Sequence, residues 1–236
     1  MNMKHIIKNI PVVGQAARRI YRMCINPSKP FQGSESYWKN RYDAGGNSGD
    51  GSYNQLAEFK AVILNKFVFE NGITSVIEYG CGDGNQLNLA QYPKYIGFDV
   101  SPNAISMCLR LFSNDGTKTF KLMEAYAGET AELTLSLDVI YHLIEDGVFA
   151  DYMIRLFDSS ERFVVIYSSD TDENPNGTAV HVRHRNFSMW IASNRADWKL
   201  IDHIPNKYPF KGDNKSGSFA NFYIYSKAKH PYTLPQ

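Results

Sequence analysis

Three glycines at alternate positions follow a short apolar run: Val76-Ile77-Glu78-Tyr79-Gly80-Cys81-Gly82-Asp83-Gly84-Asn85. A second run, Tyr95-Ile96-Gly97-Phe98-Asp99, ends in an acid 19 residues after the first glycine. A strand that runs into glycines lets the backbone approach a ligand closely, because no Cβ stands in the way. An ionised carboxylate at the end of the neighbouring strand only accepts hydrogen bonds, which suits the vicinal hydroxyls of a ribose. The two features together predict a pocket for a nucleoside-bearing cofactor. The spacing narrows the choice. A dinucleotide fingerprint reads G-x-G-x-x-G and sets a pyrophosphate at a helix N-terminus, but its third glycine would fall on Asn85. No Lys-Ser or Lys-Thr pair of a P-loop lies nearby. A cofactor with a nucleoside and no phosphate fits best.

The run E-x-G-x-G-x-G from Glu78 to Gly84 resembles motif I of the class I S-adenosylmethionine-dependent methyltransferases. That resemblance implies a Rossmann-like α/β fold: a mostly parallel seven-stranded sheet with a reversed last strand and helices on both faces. It implies S-adenosylmethionine as cofactor. Gly80, Gly82 and Gly84 would line its methionine part, with Cys81 a small residue among them. Glu78 would orient the loop or the bound amino group. Asp99, with Val100 beside it, would meet the ribose, and Glu124, just past the third strand, the adenine amine. The resemblance extends over about residues 33 to 228. More loosely, the chain resembles small bacterial enzymes of surface-polysaccharide biosynthesis, which implies a saccharide or phosphosugar acceptor methylated at oxygen.

The later strand ends carry the other candidates. The fourth ends at Ser136-Leu137-Asp138-Val139-Ile140-Tyr141-His142. This resembles motif IV of the same enzymes, where an acid or nearby polar group faces the methyl acceptor, and Asp138 is assigned both a catalytic and a cofactor-binding place. Asp138 and His142 are four residues apart and can share one face of a turn. His142 suits a general base, its ordinary pKa being near neutrality, or it caps the next helix. The fifth strand ends near Tyr167-Ser168-Ser169-Asp170, and the chain then reads His181-Val182-Arg183-His184-Arg185. Two histidines and two arginines there read as a site for an anionic or sugar-phosphate acceptor, or as a solvated loop. No further ligand stands at metal spacing, so no metal is expected. Upstream, Tyr37-Trp38-Lys39-Asn40-Arg41-Tyr42 leads into a loop, Gly45-Gly46-Asn47-Ser48-Gly49-Asp50-Gly51-Ser52. Similar methyltransferases close a Tyr-Trp segment over the cofactor, which places Tyr42 and this loop at the mouth of the site.

The elements that must position these residues alternate. Short apolar runs at 75–79, 95–99, 119–123, 133–138 and 163–168 predict strands. Helices are expected at 56–69, 84–91, 102–112, 145–157 and 188–198, and two late strands at 199–204 and 218–226 should form an edge hairpin. Strand–helix alternation of this kind makes a parallel sheet covered on both faces.

The chain has 236 residues, 43% of them hydrophobic, enough for a substantial core. Cys24, Cys81 and Cys108 are three, with no C-x-x-C spacing, which fits a reducing cytosol. The net charge is +1 but unevenly placed: residues 1–30 hold Lys4, Lys8, Arg18, Arg19, Arg22 and Lys29 and no acid. The body that follows is mildly acidic, unlike a nucleic-acid-binding domain. The basic head reads as an appendage, either an amphipathic segment on an anionic membrane or a helix packed on the body. Two other functions compete with methyl transfer. A non-catalytic scaffold of the same fold is disfavoured by the retained acids Glu78, Asp99 and Asp138. A nicotinamide oxidoreductase is disfavoured by Asn85.

Overall fold

The computed structural model describes residues 31–228. The basic segment 1–30, with its expected membrane contact, lies outside the described residues. No helix among the described residues is long and apolar enough to cross a membrane.

Seven strands form one sheet: β1 (Ser75–Tyr79), β2 (Lys94–Asp99), β3 (Lys118–Leu122), β4 (Ala131–Leu137), β5 (Ser160–Ser168), β6 (Trp198–Ile204) and β7 (Asn221–Lys227). Their order is β3-β2-β1-β4-β5-β7-β6. The first five run parallel, and β7 runs antiparallel to both β5 and β6. The expected seven-stranded sheet with a reversed last strand is therefore borne out, and β6 and β7 form the edge hairpin.

Side chains alternate across this sheet with the period of a strand. Val76, Tyr95, Leu133, Leu135 and Leu137 face one layer, where Leu64 and Val68 of helix α2 (Asn54–Glu70) and Ile105 and Cys108 of α3 (Pro102–Leu111) cover them. Ile77, Tyr79 and Phe98 face the other layer. There they meet Phe149, Met153, Leu156 and Phe157 of α4 (Asp146–Asp158) and Phe187 and Ile191 of α5 (Phe187–Asn194). On this second face β4 presents two polar residues, and both are satisfied. Thr134 Oγ1 donates to the Leu156 carbonyl at 2.8 Å, and the Tyr152 hydroxyl donates to Ser136 Oγ at 2.7 Å. Ser101 caps α3, its side chain accepting from Ala104 N, with Pro102 in the first turn as expected. The remaining helix, α1 (Ser34–Asp43), carries the aromatic segment.

Two expected elements differ. Residues 84–91 form no α-helix but a turn with one short 3-10 stretch, Leu87–Leu89. Gly84 has φ +81°, a left-handed conformation that cannot open a right-handed helix. Asn85, Asn88 and Pro93 give the short span little helical preference. Helix α5 ends at Asn194 rather than near Trp198. Trp198 instead starts β6, where its buried ring lies 5.1 Å from that of Phe157.

Candidate functional site

The parallel strands end together on one side, and the crevice there is where open α/β sheets bind ligands. Between β1 and β2 the chain turns through Gly80, Gly82 and Gly84, all with positive φ. A Cβ on Gly80 would stand 2.5 Å from Val139 Cγ2, and one on Gly82 would collide with Ser48 Oγ. Both positions need glycine for conformation and for space. Asp99, at the end of β2, turns back onto this loop. Its Oδ2 accepts the Gly82 N–H at 3.0 Å and its Oδ1 the Ser101 N–H at 2.8 Å, with Val100 N–H also contributing. Burial pushes the Asp99 carboxyl up to about 6, against the pull of these backbone donors. Glu78 lies beneath the loop and accepts the Tyr95 hydroxyl at 2.6 Å; burial pushes it up to about 7. Cys81 is buried beside Cys108, and a hydrogen bond that its thiol gives to that neighbour, together with burial, raises it well above the ordinary value. It is a packed small side chain, not a poised nucleophile.

The glycine-rich segment after α1 is fastened to this loop by a residue that sequence reasoning passed over. Asp83 Oδ2 accepts the Ser48 N–H at 2.9 Å and the Tyr53 hydroxyl at 2.7 Å, while Asp83 N–H donates to Ser48 Oγ at 2.9 Å. Asn85 adds a bond to the Ser52 carbonyl at 2.6 Å. Tyr42 is buried, its hydroxyl 2.8 Å from Ser48 Oγ and close above Gly82. Helix α1 is itself anchored at its first residue, where Ser34 N–H and Oγ donate to the two carboxylate oxygens of Glu145 at 2.9 and 2.6 Å. The mouth residues are thus held from both ends. Glu124 does sit past β3, in the turn Met123–Ala125, with its side chain exposed.

At the end of β4, Asp138 adopts φ +60°, which Asp tolerates better than most residues and which points to a constrained position. Its Oδ2 is 2.6 Å from Lys60 Nζ, and its Oδ1 accepts the Tyr141 hydroxyl at 2.8 Å. Lys60 is fully buried, with its ammonium 5.3 Å from the centre of the Tyr167 ring. It is the second residue that sequence reasoning missed. The signal was there: Lys60 lies four residues after Leu56 and four before Leu64, on the apolar stripe of α2.

His142 lies in the turn after β4. Its Nδ1 is 2.8 Å from the His181 carbonyl, which can only accept, so Nδ1 carries the proton and Nε2 the lone pair. Burial pushes its pKa down to about 4, so the ring is neutral at pH 7. His181 stacks on Tyr37 with centroids 4.2 Å apart. His184 Nδ1 is 2.7 Å from Ser169 Oγ. The two arginines expected to bind an anionic acceptor do something else. Arg185 donates to the Leu143 and Ile144 carbonyls at 3.0 and 2.7 Å and to Asp146 Oδ1 at 2.7 Å, over the Phe149 ring. Arg183 reaches the same Asp146 oxygen and the Ile144 carbonyl, each at 2.9 Å. Both guanidiniums staple the segment to the start of α4. Among the described residues no group of three His, Cys, Asp or Glu is placed to hold a metal.

No family model matches the chain, and no curated protein matches it. Solved structures do. The N-methyltransferase NodS from Bradyrhizobium japonicum WM9, in complex with S-adenosyl-L-homocysteine, superposes with TM-score 0.63 at 12% identity, covering 84% of this chain and 100% of that one. The magnesium protoporphyrin IX methyltransferase ChlM from Synechocystis PCC 6803, with bound SAM, gives 0.59 at 12% identity over 85% and 100% of the two chains. The methyltransferase domain of bacterial CtHen1-C gives 0.56 at 14% identity over 77% and 100%. The chain has the Rossmann-like fold of the class I methyltransferases.

Proposed function

We propose that this protein transfers a methyl group from S-adenosylmethionine to an oxygen of a small-molecule acceptor. One observation carries the reading: the glycine loop of β1 and the carboxylate of Asp99 meet at hydrogen-bond distance, at a place where a Cβ would not fit. The cofactor's parts match what is present. A ribose needs an ionised acceptor, and Asp99 stays charged above about pH 6 with lone pairs beyond those its backbone donors use. A methionine backbone needs a loop without side chains, which Gly80, Gly82 and Gly84 give. No phosphate ligand is required and none is arranged there. When bound, the cofactor supplies an electrophilic sulfonium methyl that leaves without its bonding pair.

The chain's own work is to align the acceptor's lone pair and to take its proton. His142 Nε2, neutral at pH 7 and fixed by the bond from Nδ1, receives that proton. Lys60 and Tyr141 hold Asp138 at the end of β4, four residues before it, so the carboxylate is fixed in place to orient the acceptor. The saccharide reading keeps its hydroxyl chemistry. Its phosphate handle loses support, because Arg183 and Arg185 are tied to Asp146.

Isothermal titration with S-adenosylmethionine, S-adenosylhomocysteine and NADH tests the proposal. Binding of the first two and not the third is expected. Asp99→Ala should weaken both by roughly 10- to 100-fold, since charge-assisted hydrogen bonds contribute about 1.5–3 kcal/mol. Tighter binding of NADH favours an oxidoreductase, and no binding of any favours a scaffold.

A further inference from the structure

A continuous run of rings leaves the cofactor loop and lines the neighbouring strand ends. It begins at Tyr42, above Gly82, and passes to Trp38 at 6.2 Å between ring centres. Trp38 meets His142 edge-on at 4.9 Å, and His142 lies parallel to His181 at 5.5 Å. His181 in turn stacks on Tyr37. On the other side of His142, Tyr141 packs on Phe219 at 4.9 Å, and Phe219 on His184 at 4.6 Å. These rings come from α1, the turn after β4, the segment after β5 and the link between β6 and β7. Only the fold brings them together. Tyr37, Trp38, His142, His181, His184 and Phe219 are all partly exposed.

The charges around this wall are committed elsewhere. Lys60 is paired with Asp138, and Arg183 and Arg185 with Asp146. Arg41 donates to the Asn47 carbonyl at 2.6 Å and lies over the Trp38 ring. Burial pushes all three histidines of the wall below their ordinary value, toward the neutral form. A phosphate brought here would lose water and find its cations already bonded, whereas a neutral ring finds faces and edges to pack on.

We propose that this wall is the acceptor subsite and takes an uncharged, hydroxyl-bearing ring compound laid against the aromatic side chains, not a phosphosugar. The inference rests on the methyl-transfer reading and narrows its acceptor. A neutral sugar and an aryl hydroxyl share this chemistry, and the experiment separates them.

Saturation-transfer NMR of the full chain, with and without S-adenosylhomocysteine, is run against phenol, methyl glucoside and glucose 1-phosphate. Transfer to the ring protons of phenol or of methyl glucoside is expected. It should weaken about tenfold in His181→Ala and in Trp38→Leu, two variants that guard against misfolding of either one. The larger signal of the two neutral probes names the source. The proposal is overturned if glucose 1-phosphate binds about tenfold more tightly than methyl glucoside, if neither neutral ring receives transfer at about 10 mM, or if both folded variants leave the transfer unchanged. Loss of S-adenosylhomocysteine binding with ring binding intact sinks the methyl-transfer reading alone. The reverse result sinks the subsite alone.

Discussion

The two ends of the crevice are built differently. At β1 and β2 the proposed cofactor end is made by backbone: glycines with positive φ, N–H groups turned to Asp99, and an acid placed by strand length. At β4 and β5 the proposed acceptor end is made by side chains that reach across the sequence. Lys60 meets Asp138 from 78 residues away, and Arg185 meets Asp146 from 39. Backbone requirements leave a local mark in sequence, because few residue types satisfy them. Side-chain pairings leave none, because either partner is ordinary by itself.

The contrast predicts different kinds of damage at the two ends. The largest effect should come from Lys60→Met, which leaves the largely buried carboxylate of Asp138 without its cation. Breaking such a pair costs about 3–5 kcal/mol of stability, read as a lower denaturant midpoint. Adding Asp138→Asn should recover part of it. A loss under about 1 kcal/mol would mean the pair does not hold the acceptor end.

At the cofactor end acid should act on binding and not on stability. Asp99 and Glu78 have folded pKa values above the ordinary carboxylate range, so the folded state takes up their protons first. Stability then rises as pH falls through about 7 and 6. His142, His181 and His184 oppose this, since burial holds all three below the value near 6.5 at which the unfolded chain protonates them, His142 down to about 4. Two acids set against three histidines predict a melting temperature that changes little between about pH 7 and 5. S-adenosylhomocysteine affinity should meanwhile drop by about tenfold as Asp99 loses its charge. A joint fall of both quantities would remove Asp99 from the cofactor site.

The smallest effect should be that of Arg183→Ala. Its partner Asp146 is largely exposed, so the pair contributes under about 1 kcal/mol. A larger loss in acceptor binding than in stability would return Arg183 to the anion-binding role first expected of it.

Legibility followed the same division. The five parallel strands, the reversed β7 and the glycine turn beside the end of β2 were open to reading because alternation, glycine spacing and strand length are local. The turn at 84–91 was misread because its apolar spacing looks helical, while the φ of Gly84 is decided by packing on Cys108 and Phe112. Asp83 was overlooked because nothing near it announces that Ser48 and Tyr53 will fold onto it. The pairing of Arg183 and Arg185 with Asp146 was not legible, because residue type says nothing of a partner 37 and 39 residues away.

The position of β7 has a consequence for how the chain is made. β7 lies between β5 and β6, yet it is the last strand in sequence. A nascent chain that has emerged only as far as residue 220 therefore carries β5 with one open edge and β6 with no partner in the sheet. Synthesis passes through an interval in which two strand edges are exposed side by side, each able to pair with another copy. Lys199 and Asp202 put charge on β6, the strand left waiting longest.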